Sequence, residues 1–128
     1  MKILGLDYGE AKVGLALGDS ETRTALPYKI IRNSGWNNLL LELKSICRTE
    51  RIEKVVVGLP INSAQGDSVL MKQVTEFMKR LREALALEVF GQDERFSTRQ
   101  ARELIDKKRA DDDIAAMLIL QSYFDCQS

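Results

Sequence analysis

At 128 residues, 45% apolar and 30% charged, the chain is sized for one domain with a substantial core, and its composition excludes a disordered or fibrous protein. Nineteen basic residues balance nineteen acidic ones, which argues against broad, salt-driven nucleic-acid binding. The absence of histidine excludes His-based triads, His-ligated zinc and the commonest general base, so any proton or metal chemistry must rest on carboxylates, lysines or hydroxyls.

Met1–Asp7 has neither the apolar length nor the cleavage site of an export signal, and no apolar run is long enough to span a membrane. The expected location is the cytoplasm, with no membrane partner. Residues 2–8 read as a buried strand, Ile3, Leu4 and Leu6 being its apolar members. Asp7 is out of place there, because a buried carboxylate is costly unless a cation, hydrogen bonds or a proton compensates it. Gly9–Lys12 reads as a tight turn into a second strand, Val13–Leu17, so the two form a hairpin. A third strand is expected near Tyr28–Ile31. Trp36, Leu40, Leu43 and Cys47 recur at helical spacing over residues 35–50.

Lys54–Gly58 is short and β-branched without alternation, which suits a central strand covered on both faces. A polar loop, Leu59–Asp67, leads into a helix carrying Val74, Phe77, Met78, Leu81 and Leu85 on one side. Leu87–Phe90 forms a further strand, followed by Gly91-Gln92-Asp93-Glu94-Arg95. Ser97 opens the next helix, with Gln100 completing a capping box. A last helix starts near Asp111–Asp113 and carries Ile114, Met117, Leu118 and Gln121. The expected order is β-β-β-α-β-α-β-α-α, an α/β fold with a mixed sheet and helices on both faces, spanning residues 1–128 as a single domain.

Cys47 and Cys126 have no metal-binding or redox spacing, and Cys47 fits a helix core. Between Val69 and Ala110 ten basic residues face seven acidic ones, with Lys107-Lys108-Arg109 the densest run. That run suits either a phosphate contact or a solvated helix end.

Three acidic positions stand at the ends of elements: Asp7, Glu94 and the Asp111-Asp112-Asp113 triplet. In open α/β sheets ligands favour the C-terminal ends of the strands, where all three can meet. Carboxylates without histidine suit a hard cation, Mg²⁺ or Mn²⁺, and such ions support phosphodiester hydrolysis. Each acid also has a plainer reading. Asp7 can bind backbone donors of its own turn, Glu94 can pair with Arg95 or Arg99, and the triplet can cap a helix.

Four stretches, in order, resemble the YqgF/RuvX family. They are Leu4-Gly5-Leu6-Asp7-Tyr8-Gly9 with Lys12–Ala16; Val55–Pro60 with Asn62 and Gly66; Asp93–Thr98; and Asp112–Ala116 running into Ile119–Tyr123. The resemblance covers nearly the whole chain and implies a ribonuclease H-like fold. It implies a metal-dependent endonuclease, acting in 5′-end processing of pre-16S rRNA during ribosome biogenesis. By this similarity Asp7, Glu94 and Asp112 are the catalytic, metal-binding carboxylates for Mg²⁺ or Mn²⁺. Asp112 is preferred within the triplet because it lies two residues before Ile114; Asp111 and Asp113 compete with it.

One departure stands out. The family's loop between the Thr98 region and the last acidic motif is longer than Arg102–Ala110 allows. Lys107–Arg109 can stand in for it. Around the acids, Lys12 and Arg95 can contact phosphates, and Asn62 and Thr98 can hydrogen-bond the nucleic-acid backbone. Lys12 is equally a solvated turn lysine, and Thr98 equally a helix cap.

The implied partner is nucleic acid, either precursor rRNA or branched DNA. The alternatives are a Holliday junction resolvase and a non-catalytic nucleic-acid-binding assembly factor. Asp7-x-Gly9 with Lys12-x-Gly14 also resembles the first phosphate loop of actin-like ATPases and sugar kinases, but this chain is too short for their second domain.

Overall fold

The structure, a computed structural model, describes residues 1–59, 68–93 and 112–126. The elements in chain order are β1 (Lys2–Asp7), β2 (Lys12–Asp19), β3 (Thr24–Arg32), α1 (Trp36–Thr49), β4 (Lys54–Leu59), α2 (Ser68–Leu85), β5 (Glu88–Asp93) and α3 (Asp112–Cys126). The helix expected to open at Ser97 lies outside the described residues.

The strands form one mixed sheet in the order β3-β2-β1-β4-β5. The hairpin strands β1, β2 and β3 pair antiparallel, whereas β1, β4 and β5 run parallel. The C-terminal ends of β1, β4 and β5 therefore share one edge of the sheet.

Strand alternation sorts the apolar side chains onto two faces. Leu4, Leu6, Val13, Leu15, Val55, Val57 and Val89 pack under α1 and α2, against Leu39, Leu43, Phe77 and Leu81. Ile3, Ala16, Ala25 and Val56 point the other way, against Ala116, Ile119, Leu120, Tyr123 and Phe124 of α3. The expected helices on both faces are present, and the unalternating Val55-Val56-Val57 run is buried on both sides. Each large aliphatic side chain so buried contributes about 1.5–3 kcal/mol of transfer free energy.

The strands outrun their apolar cores. β2 continues to Asp19 and β3 begins at Thr24, because Gly18 and Asp19 pair with β1 on one side and with Ala25 and Thr24 on the other. β5 runs on to Asp93 because β4 offers ladder partners as far as Leu59. Backbone pairing, rather than side-chain character, sets these ends.

The face of α3 differs from the expected one. Its buried residues are Ala116, Ile119, Leu120, Tyr123 and Phe124, while Ile114, Met117, Leu118 and Gln121 are half-buried. α3 is apolar around most of its circumference, so periodicity alone does not select a face. Backbone approach to the sheet selects it. A Cβ on Gly5 would meet the Ala116 carbonyl oxygen at 3.0 Å and Leu120 Cβ at 3.0 Å, and one on Gly18 would meet Leu120 and Phe124 atoms below 3.0 Å.

Polar contacts fix the far end of the helix. The Arg23 guanidinium donates to the Phe124 carbonyl, and the Ala25 N–H donates to Gln121 Oε1 at 3.2 Å. Lys54 Nζ donates to the Tyr123 hydroxyl at 3.0 Å and sits 4.9 Å from the Phe90 ring centre. On the opposite face, α1 opens at Gly35, whose φ of +109° is a conformation that a side chain would strain. No described helix is long and apolar enough to cross a membrane.

Candidate active site

Asp7 is the last residue of β1, and alternation with Ile3 and Gly5 puts it on the α3 face. It is half-buried. Its neighbours on that face are glycines. Asp7 pairs directly with Gly14 of β2, and Gly58 is the next residue in register on β4 after the Leu6–Val57 pair. Neither neighbour has a side chain beside the carboxylate, and both glycines are buried.

The residues just beyond Asp7 are held firmly on the other face. The Tyr8 ring lies 4.8 Å from that of Phe77, and Trp36 Nε1 donates to the Tyr8 hydroxyl at 2.9 Å. Asn33 Nδ2 donates to the Gly9 carbonyl at 2.8 Å. The strand end that carries Asp7 is thereby anchored to the start of α1.

α3 brings the second acidic position to the same place. Gly5 touches Ala116 and Leu120, while Gly18, which is paired with Ile3, touches Leu120 and Phe124. Contacts move toward the helix C-terminus as β1 is followed backwards, so the helix runs opposite to β1. Asp112 lies four residues before Ala116, roughly 6 Å along the helix. Asp7 lies two residues after Gly5, roughly 7 Å along the strand in the same direction. The N-terminus of α3 therefore arrives at the end of the sheet that carries Asp7.

Within the triplet, Asp113 Oδ1 accepts from the Ile114 N–H at 2.9 Å, a local bond at the helix start. Asp112 is the first residue of α3. Asp111 lies outside the described residues.

β5 ends at Asp93, directly before Glu94 in sequence. Glu94, Arg95, Asn62 and Thr98 lie outside the described residues. Among the described residues, no three acidic, histidine or cysteine side chains gather around a common point. Lys12 is exposed at the start of β2, on the Asp7 face and at the same sheet edge. Cys47 is buried in the α1–α2 core, where burial pushes its thiol up to about 11, and Cys126 is exposed. Cys126 Sγ lies 3.8 Å from Gln92 Nε2.

Sequence reading missed two residues on this face. Gln92 Nε2 donates to Ser122 Oγ at 3.3 Å, which ties β5 to α3. Arg32 is brought level with Lys12 by strand pairing. Both depend on cross-strand register, which no local pattern reveals.

Residues 1–126 match the family model described as RuvX: Holliday junction resolvase. The chain belongs to this family. Members with nearly full-length similarity include a protein of Syntrophus aciditrophicus named "Putative pre-16S rRNA nuclease", 37% identical over 100% of this chain and 91% of that protein. A Psychrobacter sp. protein of the same name is 40% identical over 94% of this chain and 76% of its own length.

The family fold extends to resolvases of distant sequence. RuvC of T. thermophilus, in complex with a Holliday junction substrate, superposes with a TM-score of 0.70 at 14% identity, covering 99% of this chain and 95% of that one. The Fowlpox virus resolvase, solved with Holliday junction DNA, gives 0.57 at 14% identity, covering 98% of each. At such identities the likeness concerns the fold, which is ribonuclease H-like.

Proposed function

We propose that this RuvX-family chain is a metal-dependent endonuclease that hydrolyses phosphodiester bonds in the 5′-end processing of pre-16S rRNA, working as one domain. Such a substrate places the reaction in the cytoplasm. The observation that carries this reading is the convergence of the β1 C-terminus and the α3 N-terminus, which brings the Asp7 and Asp112 positions to one end of the sheet, with Gly14 and Gly58 on either side of Asp7.

The donor set fits Mg²⁺ or Mn²⁺. It offers carboxylate oxygens, the sequence has no histidine, and the Cys47 thiol is buried in the α1–α2 core. Asp7, Glu94 and Asp112 would hold two ions. Glu94 directly follows the last residue of β5 in sequence. Bound there, divalent ions lower the pKa of a water and offset charge on the departing oxygen. The chain's own part is to fix the carboxylates and orient the substrate. The Trp36–Tyr8–Phe77 anchor holds the strand end, Lys12 and Arg95 offset phosphate charge, and Asn62 and Thr98 donate to backbone oxygens.

The family description favours resolution of Holliday junctions as a second reading. Both are tested by incubating purified protein and Mg²⁺ or Mn²⁺ with RNA carrying the 5′ precursor segment of 16S rRNA and, separately, with a four-way DNA junction. Cleavage of the RNA alone supports the first reading; cleavage of the junction alone supports the second. Asp7→Asn should lower either activity by about 100-fold or more. If neither substrate is cut, or if Asp7→Asn cuts like the native chain, the nuclease proposal fails.

A further inference from the structure

The pairing of β2 with β3 puts Lys12 directly opposite Arg32. Alternation assigns both to the α3 face: Val13 and Ile31, the adjacent pair, point into the α1–α2 core. Directly opposed residues in an antiparallel ladder have Cβ atoms about 4.5–5.5 Å apart. Both residues are exposed, so α3 leaves this corner of its face uncovered. Lys12 is also the diagonal neighbour of Asp7, two residues from its partner Gly14, which puts it about 7–8 Å away. Arg32 lies one strand further out, on the same line. Two opposed, exposed cations beside the strand end that carries Asp7 are what a polyanion backbone would bridge: each can contact a phosphate, and the arginine can do so with two parallel hydrogen bonds.

We infer that Lys12 and Arg32 together form a grip for the phosphodiester backbone of the substrate strand, on the β2–β3 side of the strand end bearing Asp7. The inference rests on the nuclease reading and adds Arg32 to it. It also gives the substrate a direction, from Asp7 outward across β2 to β3. The grip is independent of base sequence because it touches phosphates alone.

The test measures binding rather than cleavage. The affinity of the full chain for a fluorescent single-stranded RNA is followed over a range of salt, with no divalent ion added. Replacing a phosphate-contacting cation lowers the slope of log K against log salt by about 0.7 for a single strand. Arg32→Gln should lower it by that amount and Lys12→Gln likewise, with the double variant losing about 1.4. Arg32→Lys should retain most of the slope. Lys29→Gln serves as the control, because Lys29 is exposed but pairs with Leu15 of the opposite face. An unchanged slope in Arg32→Gln overturns the grip while leaving the nuclease reading standing. An equal loss in Lys29→Gln also overturns it, since net charge would then explain the effect. If the native chain binds no RNA and no four-way junction, the grip and the nuclease reading fall together.

Discussion

Asp7 gains its meaning from residues distant in sequence. Gly14 and Gly58 flank it on the sheet, and the Tyr8 hydroxyl, held by Trp36, fixes the backbone just beyond it. A carboxylate placed at a strand end for reaction rather than for packing should be dispensable for folding and indispensable for cleavage. Asp7→Asn is therefore expected to melt at or above the native temperature while losing cleavage. A large drop in melting temperature would favour a packing role instead. Cys47 is a separate case at this scale. Burial raises its thiol from 9.0 to about 11, so the folded state holds the proton more tightly than the unfolded one. Its contribution to stability is complete below pH 9 and declines as pH rises toward 11. Denaturant titrations across that window should show falling stability, and Cys47→Ala should flatten the fall. A thiol reagent at pH 8 should label Cys126 alone in the native protein and both cysteines in denaturant.

At the scale of elements, the decisive contact is α3 on β1. Gly5 lets the Ala116 carbonyl come within 3.0 Å of where a Cβ would stand, so Gly5→Ala forces a helix backbone, rather than a flexible side-chain tip, to move. The expected cost is about 1–3 kcal/mol by chemical denaturation. Because the same contact sets the N-terminus of α3 at the Asp7 end of the sheet, cleavage at a temperature where the variant is fully folded should also fall. Full activity in a folded Gly5→Ala protein would show that the helix placement does not matter to the reaction. Much of this architecture was legible in the sequence. The Ile3–Leu6 and Val55–Val57 runs announced buried strands, and Trp36, Leu43 and Cys47 announced α1. The face of α3 was not legible, because an almost wholly apolar helix has no polar stripe to orient it. The ends of β2, β3 and β5 were also hidden, since Gly18, Asp19 and Gln92 enter strands through ladder partners rather than through side-chain preference. Arg32 escaped notice for the same reason: only register sets it opposite Lys12.

For the whole molecule, the topology explains why acids scattered along the chain can serve one reaction. Parallel β1, β4 and β5 deliver their C-terminal ends to one edge, and α3 returns its N-terminus there. A ligand that binds only the folded state stabilises it by an amount that grows with the logarithm of ligand concentration over its dissociation constant. Mn²⁺ at a hundredfold excess over its dissociation constant should add about 2.7 kcal/mol, seen as a rise in melting temperature. The gain should vanish in Asp7→Asn. Equal gains in both proteins would place the ion elsewhere.

The most direct measurement is an anomalous difference map from crystals of the native chain soaked in Mn²⁺. The account predicts ion density bonded to the Asp7 carboxylate and completed by Asp112 and Glu94. Density at other sites, with Asp7 satisfied by backbone donors of its own turn, would contradict it.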